Sequence, residues 1–337
     1  MCYELTSTSG KLTATVLAFG ATLTSVRTPN KHGTMEEVTL GLIDWEAPGN
    51  PCMNCVIGRI AGRTSSPVVI DGRSYNLPGC DGGGGGIKPE TNLHGGMNWN
   101  SLIWKVTDHS PTFVTLSLVC DEPSLPGTLT TTMTYRIVEE NTLRFEYHST
   151  CTETTLVSLT NHTYWNLSGN YRDKSISKNH EIQINADNIS TTTSCGDGLG
   201  TGEKTNIKNT IRDTTASFQL MKDVIEHQKT ANPNFPHGEE FLLNKNIETE
   251  DVLAATVRHK ISGRIMSVFT TEPAIQTYYS TLLGGEIGRD LVVLEKHGGL
   301  CLEATRRANT IDDSRILRKG EVYKQVTRHV FSIMEES

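Results

Sequence analysis

The chain lacks any apolar run long enough to cross a membrane; its longest hydrophobic stretches have the length of single strands. It has no basic block, and its net charge is −7, so it lacks the electrostatic footprint of a nucleic-acid binder. The N-terminus, Met1-Cys2-Tyr3-Glu4-Leu5-Thr6, has no basic region ahead of an apolar core and does not read as a signal peptide. Paired cysteines are scarce: of eight, only Cys52 and Cys55 form a tight pair. A zinc reading would need a second pair or histidines at ligand spacing. A redox motif would need a thioredoxin-like helix after it. Neither is present, so free thiols in a reducing, cytoplasmic setting are expected. The sequons at Asn161, Asn166 and Asn188 are then expected to go unused. Amphipathic helices are scarce too; Phe218 to Lys229 is the best candidate, and it is short.

What is present is a period of two. Leu102 to Val106 and Phe113 to Val119 flank a Ser110-Pro111 turn, and Thr128 to Val138 and Thr142 to His148 flank Glu139-Glu140-Asn141, a hairpin signal. Leu156 to Trp165, Glu181 to Ile184, Ala255 to Val268 and Val322 to Phe331 continue the alternation. Many short strands predict an all-β chain, a sandwich or a barrel. No linker or internal repeat divides it, so residues 1–337 are expected to form one domain. With 337 residues, of which 36% are hydrophobic, it can bury a large core without disulfides. The run Gly82 to Gly86 is not followed by the Lys-Ser/Thr and helix of a phosphate loop, and a surface loop is expected there.

The most informative segment is Leu159-Thr160-Asn161-His162-Thr163-Tyr164-Trp165-Asn166. Aromatic faces can pack on the C–H face of a pyranose, hydroxyls and amides can serve its alcohols, and an imidazole can pass a proton near neutral pH. A satisfied core strand with one buried histidine explains the same residues equally well. Four further segments carry candidate groups. Gly58-Arg59-Ile60-Ala61-Gly62-Arg63 holds two guanidiniums four apart. Asn92-Leu93-His94-Gly95-Gly96 sets a histidine before a tight turn that would let backbone approach a ligand. Ala274-Ile275-Gln276-Thr277-Tyr278-Tyr279 offers an amide among aromatics, and Leu300-Cys301-Leu302-Glu303 ends an apolar strand with one carboxylate. Each is weak alone: a solvated charge, a turn histidine or a surface amide would explain it.

Together and in this order, these segments resemble the aldose-1-epimerases, also called galactose mutarotases. The resemblance runs over nearly the whole chain, from Phe19-Gly20-Ala21-Thr22 to Gly320-Glu321-Val322-Tyr323. It implies a large antiparallel β-sandwich, the galactose mutarotase-like supersandwich, with an open cleft on one sheet. It implies an enzyme that interconverts α and β anomers of an aldose, with Glu303 as base and His162 as acid. His94 would act near the ring oxygen. Arg63 and Gln276 would hold hydroxyls, with Arg59, Glu239 and Tyr164 as further sugar contacts. One sugar ring is expected to separate Glu303 from His162. No metal and no cofactor are needed, because only a hemiacetal opens and no electron moves. The expected partner is a small sugar, with no nucleic acid and no membrane, and the chain a monomer or weak dimer.

The chain departs from the family pattern where sugar is gripped. Gly62 stands where an asparagine is usual, and Gly238-Glu239 stand where an Asp-His pair is usual if Phe241 is the anchor. Arg306 and Arg307 are new cations beside the expected base. Two lost polar contacts would weaken a simple hexose about ten- to a hundredfold, and Glu239 or Glu240 would restore part of that. A divergent sugar-binding protein without turnover, and a phosphosugar epimerase using Arg306 or Arg307, are the alternative readings. A larger or anionic sugar is the expected shift in preference.

Overall fold

The structure is a computed structural model. It describes residues 1–47, 52–81, 87–88, 90–97, 99–193, 197–233, 237–245, 251–310 and 314–335. The glycine run 82–86 lies outside the described residues, as do Phe235 and Pro236.

Two large antiparallel sheets dominate. Nine strands form the first, in spatial order Lys105–Ser110, Phe113–Asp121, Thr128–Val138, Thr142–Cys151, Tyr323–Ile333, Arg264–Thr270, Val252–His259, His180–Ile184 and Gln219–Leu220. Its centre is the Thr128–Val138 and Thr142–Cys151 hairpin, whose burial alternates residue by residue as the sequence pattern predicts. Six strands form the second: Tyr164–Trp165, Leu300–Thr305, Ala274–Tyr278, Glu240–Leu242, Asn188–Thr192 and Gly200–Asn206. A four-stranded meander, Cys2–Thr6 to Met35–Glu37, packs into the same core. The helix is Met221–Ala231, three residues later than expected at its start.

The core lies between the sheets. Tyr135, Phe145 and Tyr147 from the first sheet share one buried cluster with Trp165, Leu302, Ile275 and Phe241 from the second. Trp165 packs on His329 with ring centroids 4.9 Å apart. Two stretches differ from a plain reading of the alternation. Ala255 to Val268 is a hairpin of Val252–His259 and Arg264–Thr270. Leu156 to Trp165 breaks into three short pieces, because Val157 N–H is taken by Arg315 O and Ser158 N–H by Arg59 O.

Arg59 belongs to this framework and not to a sugar site. It is 0% exposed. Its guanidinium donates to Pro126 O (3.2 Å), Thr155 Oγ1 (3.1 Å) and Cys120 O (2.9 Å). A planar fork matched to acceptors from three separate stretches of chain serves as a rivet. The Gly95 turn beside it also serves packing. A Cβ there would meet Arg59 N and Gly58 O at 2.9 Å, so the close approach is to protein backbone, not to a ligand. Arg59→Ala should therefore lower stability in urea unfolding by about 3 kcal/mol or more, since each orphaned buried acceptor costs about 1–3 kcal/mol. Unchanged stability with weakened sugar affinity would return Arg59 to the site.

Candidate active site

The outer face of the six-stranded sheet carries a cavity of about 520 Å³. Strand alternation decides what enters it. Asn161, Thr163 and Trp165 face the space between the sheets, so His162 and Tyr164 face the cavity. Leu302 and Ala304 likewise face inward, which turns Glu303 outward. Gln276 is in register with Glu303 on the neighbouring strand and lines the same floor. Arg63 ends a short pairing with Leu93, which brings His94 to the rim beside it. Glu239 completes the set. Six stretches of chain thus deliver seven of the eight expected site residues to one cavity, Arg59 being the exception.

The backbone around His162 is fixed on both sides. Its N–H donates to Cys55 O (3.0 Å), and its carbonyl accepts Asn54 N–H (2.9 Å). Neighbouring Asn161 donates to the Tyr135 hydroxyl, 2.7 Å away, which ties the segment to the first sheet. The ring stacks on Tyr164 at 5.1 Å and meets His94 edge-on at 5.4 Å. Cys52 and Cys55, beneath it, are buried free thiols. Burial pushes the Cys55 thiol well up, which makes it inert.

His162 Nε2 and Glu303 Oε1 are 3.6 Å apart. This corrects the expectation of a whole ring between them. The physical reason is the strand pairing: Tyr164 is in register with Cys301, so His162 and Glu303, each two residues further along, come together on the same face. Burial drives the two groups in opposite directions. It raises the Glu303 carboxyl to about 8, with Arg63 pulling it back down, and lowers His162 to about 4. Between those limits the pair holds one proton, and its two macroscopic titrations belong to the pair.

His94 is held differently. Its Nδ1 accepts Gly62 N–H (3.2 Å), and its own backbone N–H donates to Gly62 O (3.0 Å). Burial, then the nearby His162 and Arg63, lower its pKa well below the usual value, so the ring is neutral. A neutral ring accepting at Nδ1 carries its proton on Nε2. It is a donor to an oxygen. One donor atom each of His94, His162 and Glu303 lie within 4.8 Å of one another, yet this tautomer leaves His94 no free lone pair for a metal ion. Asp173, His180 and His259 form a second such group. There His259 Nε2 binds Asp173 (2.9 Å), and His180 Nε2 accepts Leu167 N–H (2.9 Å). Those lone pairs are spent on the fold.

The departures from the family pattern also have places. Gly62 acts on His94 through backbone groups, so a side chain is not needed for that task. A Cβ on Gly238 would lie 1.9 Å from Thr277 O, so the position has no room for an aspartate. Glu239 is ion-paired with Arg212 across the cavity wall. Arg306 is paired with Glu272 (3.1 Å) and lies over the Tyr323 ring, while Arg307 donates to Gly202 O (2.9 Å). Neither lines the cavity, so the phosphate reading loses the cations it was built on. Arg212, His237, Asn232 and Ser190 do line it, and sequence reasoning missed all four as site residues. Ser190 carried a signal, in the hydroxyl run Ser190-Thr191-Thr192-Thr193, and so did His237, which directly precedes the Gly238-Glu239 positions.

Comparison with known proteins follows the same line. The family model for aldose 1-epimerase matches residues 1–329. The human galactose mutarotase is 29% identical over 337 residues, covering 96% of this chain and 92% of that protein. The Escherichia coli aldose 1-epimerase is 28% identical, covering 95% of this chain and 92% of its own length. Among solved structures, an aldose epimerase homologue from C. elegans superposes with a TM-score of 0.86 at 26% identity, covering 99% of both chains. A galactose 1-epimerase from Lactobacillus acidophilus gives 0.78 at 21% identity, covering 96% of this chain and 92% of that one, which supports the fold. On its sequence, its β-sandwich and its match to the family model, the chain belongs to the aldose 1-epimerase family.

Proposed function

We propose that this protein interconverts the α and β anomers of a free aldose by acid–base opening and reclosure of the ring. The observation that carries the reading is the buried Glu303–His162 pair, 3.6 Å apart in the cavity, where burial moves the two groups' pKa values in opposite directions. Ring opening removes the proton from the anomeric hydroxyl and places one on the ring oxygen as the C1–O5 bond breaks. A pair with one proton does both: the bare member takes, the protonated member gives. Rotation about C1–C2 presents the other carbonyl face, and reclosure returns both protons to where they began. The family resemblance puts the base on Glu303 and the acid on His162. Burial favours the other placement of the same proton, and Arg63 opposes it. One proton shift between the two groups interconverts these forms, so the count is the same in both. His94 Nε2–H and Arg63 are the donors that stabilise negative charge growing on oxygen during opening.

The cost of the pair argues against a binding-only role. A carboxyl raised to about 8 by burial weakens the fold at neutral pH, and a site that only holds a neutral sugar gains nothing from it. Glu303→Gln should cut turnover by about two to four orders of magnitude. A variant within about twofold of wild type, far inside that range, ends the assignment.

The same substitution makes a stability prediction with a definite sign. Glu303's folded-state pKa lies above its ordinary value of 4.5. Its contribution is therefore fully present below that value and is lost as pH rises toward about 8. Removing the titration should make Glu303→Gln melt higher than wild type at pH ~9, and relatively less so at pH ~5. A variant that melts lower at both pH values would show that the carboxylate is stabilised in place.

The kcat/KM profile should be a plateau bounded by about 4 and about 8. Below it His162 takes a second proton, and above it Glu303 loses the only one. Activity still rising through pH ~9 would contradict the shared proton.

A further inference from the structure

The cavity floor runs further than one sugar ring. Glu303 pairs in register with Gln276, and Gln276 with Glu240. The Ser190 hydroxyl donates to Glu240, which continues the row onto the next strand. All four side chains line the cavity. Neighbouring strands lie about 4.8 Å apart, so three steps put Ser190 roughly 14 Å from Glu303. At about 1.5 Å per bond, a pyranose spans roughly 5–6 Å from its anomeric oxygen to the hydroxyl opposite. A single aldose whose C1 meets Glu303 and His162 therefore ends near Gln276 and Glu239, and the Ser190 end remains beyond it.

The chemistry of that far end is specific. Its walls are Ser190, Thr191, Thr192 and Asn232, whose amide donates to Thr192 Oγ1 (3.0 Å). Ala231 and Pro233 add an apolar surface. Glu240 is buried there and accepts Ala308 N–H at 2.6 Å. Arg212, which lines this region, is already paired with Glu239, and Arg307 and Arg315 act on Glu240 from outside the cavity lining. Hydroxyls, an amide and carboxylates suit a neutral ring of alcohols. A phosphate would meet two carboxylates and a neutralised guanidinium.

We infer that Ser190, Glu240, Thr192 and Asn232 form a second sugar subsite, and that the preferred substrate is the reducing end of a neutral disaccharide or longer oligosaccharide. The distal ring is held at this subsite while the reducing ring is anomerised at Glu303 and His162. The inference rests on the proposed anomerisation and names its substrate class.

The test compares anomer-exchange rates, by polarimetry of freshly dissolved single anomers, for glucose and galactose against maltose and lactose. The 6-phosphates serve as the anionic control. Wild type should show kcat/KM for a disaccharide at least about tenfold above that for the matching monosaccharide, the worth of one or two hydrogen bonds. Ser190→Phe, which fills the far end, should lower the disaccharide-to-monosaccharide ratio by about tenfold or more. Asn232→Ala, a smaller change outside the sheet, should lower the same ratio in the same direction. Efficient turnover of monosaccharides with disaccharides slower, or ratios unmoved in both variants, overturns the subsite and leaves anomerisation standing. A preference for the 6-phosphates overturns the neutral-sugar assignment. Turnover of no sugar overturns the anomerisation reading, and the subsite falls with it.

Discussion

Glu303 is 3% exposed, on a strand whose alternate side chains, Leu302 and Ala304, pack against the opposite sheet. The core cannot release that strand without losing its own contacts, so the carboxyl cannot swing toward water. Desolvation then raises its pKa, and the same burial lowers that of His162. The proton inventory of the site is thus a consequence of how the sheet is packed. His162 obeys the same rule. Asn161 and Thr163 face the intersheet space and tie into the Tyr135 hydroxyl network, which leaves the imidazole one direction to point. Both side chains are aimed by the alternation of the chain about them.

That alternation is local, which is why much of the fold was legible in the sequence. Thr128–Val138 has the bounds that the alternation gives, and the Glu139 to Asn141 turn joins it to its partner. The groups facing one another across strands were legible only through the family resemblance. Nothing in the spacing of His94, His162 and Glu303 says that they meet, because register between distant strands is a tertiary property. Arg59 misled for the same reason. Two arginines four apart look alike in sequence, yet one is riveted to Pro126 and Cys120 carbonyls and the other faces the cavity. Arg212 sits in a polar stretch that reads as a solvated loop, and its pairing with Glu239 spans 27 positions.

The changed positions show function carried by backbone where a side chain was expected. Gly62 offers both its N–H and its carbonyl to His94, which fixes the ring's tautomer as well as its place. Gly238 gives up its side chain so that the segment before Glu240–Leu242 can approach the neighbouring strand at Thr277 O, and the adjoining Glu239 reaches the cavity with Arg212 as partner. Arg306 and Arg307, which looked like a phosphate clamp, are bound to Glu272 and to the carbonyls of the Gly200–Asn206 strand. The cavity that results carries hydroxyls, an amide and carboxylates at its far end and the Glu303–His162 pair at its near end.

The most direct check is the protonation of the pair itself, followed by NMR through the Glu303 carboxyl carbon and the His162 ring nitrogens in labelled protein, with Glu303→Gln to assign the signals. The account predicts one proton on the two groups together throughout neutral pH, with the second titration near 4 and the loss of the last proton near 8. A carboxylate and a neutral imidazole coexisting at pH ~6, with no proton between them, would contradict it.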